Sequence, residues 1–146
     1  MSIFAQKLKI MNNWIYIAVF LDDESKNKLI ELNNKITDSS WKIYCHHMTI
    51  AFNDKSEDMQ NLYESYKKIF GKEVILYATH FGISDTAIAV KVATKINTTN
   101  KIPHITLSTP IGGKPVNSNY INNWVKFKKP IELKGKIGAF KKSEKK

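Results

Sequence analysis

Two short segments of the chain share one pattern of residue types. His47-Met48-Thr49-Ile50-Ala51 and His104-Ile105-Thr106-Leu107-Ser108 both run histidine, apolar residue, threonine, apolar residue, small residue. A β-strand turns alternate side chains to opposite faces, so each histidine shares a face with the threonine two positions later. Two such strands side by side would line a cleft with two imidazoles and two hydroxyls.

This set of groups suits the cleavage of a phosphodiester. The ordinary pKa of histidine is about 6.5, so a neutral imidazole that accepts a proton and a protonated one that donates can coexist near neutrality. A positioned acid or base accelerates a reaction about 10²–10⁴-fold. We therefore predict that His47 and His104 are the catalytic pair, that Thr49 and Thr106 bind phosphate, and that no metal or cofactor is needed.

Other residues are candidates for holding a nucleotide. Lys114 lies in a glycine-rich loop after the second motif and can approach a phosphate, while Asn117 or Ser118 is predicted to cap a following helix. Aromatic side chains that stack on bases are expected, although each candidate is equally consistent with packing. The predicted substrate-binding residues are Lys114, Tyr44, Trp41 and Tyr120.

Three residues near the motifs or elsewhere are assigned no chemical role. Alternation along a strand places His46 on the face opposite His47, where a core or edge contact is favoured over catalysis. A zinc site formed by Cys45, His46 and His47 is excluded because consecutive strand residues diverge. Cys45 lacks a partner that would activate a nucleophile, and His80 is predicted to be structural.

Charge favours an anionic partner. The chain has 146 residues, a formal net charge of +10, and 23 basic residues, all of them lysine. Excess positive charge attracts anions, so weak RNA binding is possible beside the predicted nucleotide substrate. Without arginine, phosphate must be held by lysine, hydroxyl and backbone N–H groups. A monomer is favoured.

Compartment and membrane association follow from the apolar segments and the single cysteine. The longest strongly apolar run, 14–21, is far shorter than the roughly 20 residues of a membrane-spanning helix. Residues 1–11 lack the features of a signal peptide. Cys45 is the only cysteine, which excludes an internal disulfide and fits a reducing compartment. We predict a cytoplasmic protein that does not bind membranes.

Hydrophobic periodicity and turn residues indicate an α+β domain with largely antiparallel sheets. A single domain is predicted over 1–140, followed by a lysine-rich disordered tail at 141–146. Ser84 and Asp85 are predicted to join two strands in a hairpin. Predicted strands are 14–21, 42–52 (one strand or a pair), 73–81, 86–92, 102–109 and 131–140, and predicted helices are 22–36, 56–70 and 117–125.

The paired His-x-Thr motifs, His47 to Thr49 and His104 to Thr106, resemble those of the 2H phosphoesterase superfamily, also called LigT-like. The resemblance implies a bilobed α+β fold in which two mainly antiparallel sheets flank a central cleft, with helices outside. Each lobe would supply one motif strand. It also implies catalytic histidines and phosphate-binding threonines at those same four positions.

The resemblance implies a choice of substrates. The family includes cyclic phosphodiesterases of RNA ends, enzymes that cut 2′–5′ linked oligoadenylates, and viral enzymes that destroy cyclic-nucleotide immune messengers. The compact chain favours cleavage of a cyclic dinucleotide or 2′–5′ linked signalling molecule, such as cGAMP or 2-5A, in the host cytosol if the protein is viral. The alternative is a 2′,3′-cyclic phosphodiesterase acting on RNA ends. A non-enzymatic basic RNA-binding module and a relative that only sequesters its nucleotide are further alternatives.

Overall fold

Seven strands and two α-helices make up most of the described chain. A computed structural model describes residues 13–37 and 40–142. The elements in chain order are β1 (Trp14–Leu21), α1 (Asp23–Ile36), β2 (Lys42–Ile43), β3 (His47–Phe52), α2 (Glu57–Lys67), β4 (Glu73–Ile83), β5 (Ile88–Ala93), β6 (His104–Thr109), a 3₁₀ helix (Pro115–Tyr120) and β7 (Trp124–Lys141).

The strands form one antiparallel sheet in the order β2-β6-β3-β1-β7-β4-β5. Because β5 also pairs with β6, six of the strands close into a ring, and β2 extends along the edge of β6. The resemblance to 2H phosphoesterases implies two sheets. The structure joins the seven strands in one continuous sheet, and the ladder of β5 and β6, which includes Val90 and Ile105, closes it into the ring.

The two faces of this sheet have different roles. Met48 and Ile105 pair directly and are fully buried in the core, together with Leu29 of α1 and Tyr63 of α2. The helices therefore cover the face that carries the core. The histidines and threonines of the two motifs, beginning with His47, alternate with these core residues. They lie on the opposite face of the sheet, which we call the site face.

Side-chain hydrogen bonds fix the helices against the strands. Asp22 Oδ1 accepts a hydrogen bond from the backbone N–H of Ser25 at 2.8 Å, which caps α1. Further along α1, the buried Asn33 accepts a hydrogen bond from the hydroxyl of Ser108 at 2.5 Å. The second contact ties α1 to the strand that carries the His104 motif, and so fixes the position of that strand.

Several predicted elements are confirmed with small changes of boundary. β1 has the predicted limits, α1 begins at Asp23 with Asp22 as its cap, and β4 and β5 form the predicted hairpin. Helix α2 is shorter than predicted, because it ends at Lys67 and is followed by a turn that leads to Gly71 at φ 88°. Ile69, which follows the end of the helix, is 39% exposed.

The predicted helix 117–125 is wrong. Its place is taken by the 3₁₀ helix, which ends at Tyr120, and β7 already begins at Trp124. β7 is also longer than the predicted strand 131–140, because its pairing with β4 continues across a wide bulge: Ala78 pairs with Ile131, and His80 pairs with Lys126. Pro130 lies in that bulge, where no ladder hydrogen bond is required of it.

The ends of the described chain correct one boundary. The predicted tail 141–146 begins inside the sheet, because Lys141 pairs with Trp14 and the backbone N–H of Lys142 donates to Asn13 O. Residues 1–12 and 143–146, including the segment in which no signal peptide is predicted, lie outside the described residues. Within the described ranges, no helix combines the length and apolar content needed to cross a membrane.

Candidate active site

The two motif strands are neighbours in the sheet. β3 pairs with β6 through Met48 and Ile105, the central apolar residues of the two motifs. Since both point into the core, the flanking histidines and threonines all lie on the site face. A cavity of about 450 Å³ opens there, and it is lined by all four of the residues predicted to share a cleft: His47, Thr49, His104 and Thr106.

The orientation of the His104 ring is set by a backbone carbonyl. Its Nδ1 lies 2.8 Å from the carbonyl oxygen of Ile102, which can only accept a hydrogen bond. Nδ1 therefore carries the proton, and Nε2 is the nitrogen left for the cavity. Burial lowers the pKa of His104, while the hydrogen bond to Ile102 opposes that shift because it stabilises the protonated ring.

His46 lies beside His47 and corrects the prediction that it faces away from the cavity. The two rings stack with their centroids 4.4 Å apart, and their Nδ1 atoms are in close hydrogen-bonding contact. Strand alternation fails here because Cys45 has a φ of 56°, which breaks the extended chain between β2 and β3. Both histidines line the cavity as a result.

The environment of His47 favours a neutral imidazole. Burial, followed by the charges of His46 and His104, lowers the pKa of His47 to about 3. The contact between the two Nδ1 atoms needs one proton between them. When His47 supplies that proton, its Nε2 lone pair is free to act as a base.

Tyr16 is a site residue that the sequence analysis missed. Its ring stacks on His47 with a centroid separation of 4.9 Å and on Phe140 at 5.2 Å. Phe52, 54% exposed, adds a further aromatic wall to the cavity. These side chains come from β1, β3 and β7, so their convergence depends on the sheet order and leaves no local signal in the sequence.

The two motif threonines differ in their surroundings. The Thr106 hydroxyl lies 2.8 Å from the hydroxyl of Ser118 and 3.3 Å from Pro115 O. Ser118 is buried and thus positions Thr106, whereas the sequence analysis expected it to cap a helix. Thr49 has no hydrogen-bond partner for its hydroxyl among the described residues, so that group is available to a ligand.

The remaining predicted binding residues divide into two groups. Lys114 and Tyr44 line the cavity. Trp41 instead packs against the core, and Tyr120 is 70% exposed at the end of the 3₁₀ helix, so neither belongs to the cavity. Additional lining residues, for which the sequence analysis found no signal, are Asn100, Pro115, Val116 and Asn119.

Cys45 is placed in the core, away from solvent. Its thiol donates to Leu107 O at 3.4 Å, and burial raises its pKa to about 12, which keeps it protonated. Within residues 13–37 and 40–142, no three His, Cys, Asp or Glu side chains form a group that could hold a metal ion.

Comparisons with known proteins show a likeness of fold. Neither the protein-family models nor the curated proteins include a match to the chain. Among solved structures, the crystal structure of TT0787 from Thermus thermophilus is similar, with 18% identity, a TM-score of 0.51, and alignment over 82% of this chain and 84% of that one. The chain therefore shares the overall fold of TT0787. Because the sequence identity is low, this likeness is evidence of a common fold and of nothing more.

Proposed function

We propose that the protein is a phosphodiesterase of the 2H type that cleaves a cyclic dinucleotide or a 2′–5′ linked oligonucleotide signalling molecule, and so counters nucleotide-based antiviral immunity. The observation that carries the proposal is the convergence of His47 and His104, from adjacent strands, on one cavity with a threonine beside each. Cavities of about 300–1,000 Å³ are typical of small-molecule sites, and the aromatic walls suit a nucleobase.

The reaction requires one proton to leave the nucleophile and one to reach the leaving group. A ribose hydroxyl next to the phosphate, or a water molecule, forms a bond to phosphorus while a neutral histidine takes its proton. The bond from phosphorus to the leaving oxygen breaks as the other histidine protonates that oxygen. When a 2′-hydroxyl attacks, the product is a 2′,3′-cyclic phosphate, which water can then hydrolyse.

The surroundings of the two rings favour His47 as the base and His104 as the acid. The pKa of His47 is lowered to about 3, so this ring is neutral over the ordinary pH range. Burial lowers the pKa of His104 as well, but the carbonyl of Ile102 accepts a hydrogen bond from its Nδ1 and opposes that shift, so the protonated ring, with Nε2–H to donate, is stabilised at His104 and has no such support at His47. A bound phosphate would favour protonation further, because its negative charge lies close to the ring.

The hydroxyls and Lys114 complete the site. As the phosphate passes through its transition state, negative charge grows on the nonbridging oxygens. Thr49 can donate to them directly, and Thr106 can do so when its single hydroxyl proton turns from Pro115 O to the phosphate, while it accepts a hydrogen bond from Ser118. Lys114 supplies a positive charge at the cavity wall, in keeping with a chain that has no arginine.

A substrate panel tests the proposal. The protein is incubated, with EDTA present, with cyclic dinucleotides, 2′–5′ oligoadenylate and RNA ending in a 2′,3′-cyclic phosphate, and products are identified by mass. We expect cleavage of the first or second class. Turnover of the RNA ends alone would favour the alternative, an RNA-end cyclic phosphodiesterase. Absence of cleavage in all three classes would refute the phosphodiesterase function.

His46 is expected to act as a positioning residue. Replacing His46 with alanine removes the hydrogen-bond partner of His47 and should lower kcat/KM about tenfold. It also removes a charge that lowers the pKa of His47, so the acid limb of the pH profile should move to higher pH. His46→Asn restores an acceptor and should recover most of the rate while the shifted limb remains. Equal rates and profiles in all three proteins would contradict this role.

Loss of the free hydroxyl of Thr49 should reduce turnover strongly. Thr49→Val keeps the shape of the side chain and removes one donor to the transition state, so kcat should fall about 10²-fold. Thr49→Ser should retain most of the activity. Thr86→Val, at an exposed position in the β4–β5 turn, serves as the matched control and should leave kcat unchanged. A similar loss in Thr49→Ser would show that packing, and not the hydroxyl, is responsible.

A further inference from the structure

A row of basic side chains continues from the catalytic histidine across the sheet. Lys91 of β5 pairs with His104, His80 of β4 pairs with Lys91, and Lys126 of β7 pairs with His80. Directly paired residues of an antiparallel ladder project from the same face. Lys91, His80 and Lys126, which we call the cationic row, therefore lie on the site face beside His104.

The charges of the cationic row are not neutralised by the protein. Among the described residues, the ion pair between Lys26 and Asp23 involves neither lysine of the row. The acidic residues Glu73 and Glu132 also lie on this face. They are on the other side of the bulge between β4 and β7, and neither pairs with a residue of the cationic row. Positive charges left unpaired along a face attract an anionic ligand.

His80, the central residue of the cationic row, interacts electrostatically with both lysines. Burial, and then the charges of Lys91 and Lys126, lower the pKa of His80. The Nδ1 atom of His80 lies 2.8 Å from the Thr79 hydroxyl, which leaves Nε2 for a ligand. His80, predicted from sequence to be structural, thus lies between two lysines, and its Nε2 can donate to a phosphate that they bind when the ring is protonated, because Nδ1 donates to the Thr79 hydroxyl that itself donates to Lys91 O.

The length of the row indicates more than one phosphate. Neighbouring strands are about 4.8 Å apart, so the path along the sheet from β6 through β5 and β4 to β7 measures about 14 Å. A single scissile phosphate between His47 and His104 lies at the β6 end of this path, whereas Lys126 lies at its β7 end. A cyclic dinucleotide holds both of its phosphates within one small ring, whereas a linear chain can place successive phosphates along the row.

An aromatic side chain flanks the row. Trp124 lies two residues before Lys126 in β7, and it pairs with Gly82, which lies two residues after His80 in β4. Trp124 therefore projects from the same face as the cationic row. Its indole covers Gly82 closely, because an added Cβ there would lie 2.8 Å from Trp124 Cε3. Basic side chains beside an aromatic surface are the combination that binds single-stranded nucleic acid.

We infer that the cationic row binds the phosphates of a linear single-stranded oligonucleotide beyond the scissile bond, an inference that rests on the phosphodiesterase function proposed above. The substrate class is then a linear oligonucleotide, 2′–5′ or 3′–5′ linked, whose chain extends from the cavity across β5, β4 and β7. His80 and the two lysines contribute to affinity and to preference for longer substrates, and the two motif histidines carry out the reaction.

Binding tests the row separately from cleavage. Lys91→Gln/Lys126→Gln keeps most of each side chain and removes both charges; Lys35→Gln/Lys67→Gln removes two exposed charges from the helices as a control. A fluorescent single-stranded oligonucleotide is titrated against each double variant in a His47→Ala background, between about 50 and 200 mM salt. We expect weaker binding for the row variant only, with a salt slope reduced by about 1.4, since each phosphate contact on a single strand contributes about 0.7.

Cleavage of a dinucleotide and of a hexanucleotide completes the experiment. In the otherwise unchanged protein, the row variant should lose the advantage of the longer substrate and cleave the shorter one as before. Equal salt slopes in the row and control variants would overturn the inference. Row-dependent binding without cleavage of any substrate would support the row and refute the proposed function, whereas cleavage independent of length in both proteins would support the function and refute the row.

Discussion

Replacement of either His47 or His104 with alanine is expected to lower kcat by about 10²–10⁴-fold, because each removes one of the two proton transfers. The fold should remain intact, since both side chains lie on the site face and the core on the other face is untouched. The measurement is steady-state cleavage of the substrate identified in the panel. Thermal melts of both variants at neutral pH provide the control for folding.

An activated substrate separates the two roles. A phosphodiester with a nitrophenolate leaving group needs little protonation of that oxygen, so the loss of a general acid should matter much less. His104→Ala should therefore recover most of its activity on the activated ester, whereas His47→Ala should remain slow because the nucleophile still needs a base. The reverse pattern would exchange the two roles. Undiminished turnover in the double variant would remove both histidines from the mechanism.

The motif strands could be predicted because their information is local. His47, Thr49, His104 and Thr106 alternate with apolar residues, so a period of two assigns each side chain to a face. The direct pairing of Met48 with Ile105 then brings the two faces together at one cavity. Alternation alone predicts which residues share a face, and the pairing of β3 with β6 makes them neighbours.

His46 could not be predicted, because a single backbone conformation determines its place. The positive φ of Cys45 lets residues 44 and 45 donate to Leu107 O and Thr106 O before β3 begins. This contact with a strand some 60 residues away leaves no periodic pattern. The cationic row has a similar origin, since Lys91 and Lys126 become neighbours of His80 only through the pairing of β5 and β7 with β4.

Stability in acid should depend on His47. Its pKa lies near 3 in the folded protein and near 6.5 in the unfolded chain, so below pH 6.5 the unfolded chain takes up a proton that folded His47 does not. The free energy of unfolding should therefore fall as the pH decreases from about 6.5 to about 3. The contribution of this residue amounts to about 3 kcal/mol by pH 4.5.

His47→Gln should remove that dependence, since glutamine does not titrate. Urea unfolding of the two proteins at about pH 7 and pH 4.5 gives the difference directly, and the lowered carboxyl pKa values of Asp22 and Asp54 affect both proteins equally. We expect the variant to lose about 3 kcal/mol less than the wild type on acidification. Parallel losses in the two proteins would mean that His47 protonates freely in the folded state.

Added phosphate connects this acid sensitivity to the proposed site. An anion between His47 and His104 would favour the protonated rings, so it should stabilise the wild type more at pH 4.5 than at pH 7. In His47→Gln one of the two rings is absent, and the gain at low pH should shrink. A gain that is equal in both proteins would place the anion elsewhere, with Lys91 and Lys126 of the cationic row as the alternative site. Combining His47→Gln with Lys91→Gln/Lys126→Gln distinguishes the two locations, because only loss of the occupied site abolishes the stabilisation.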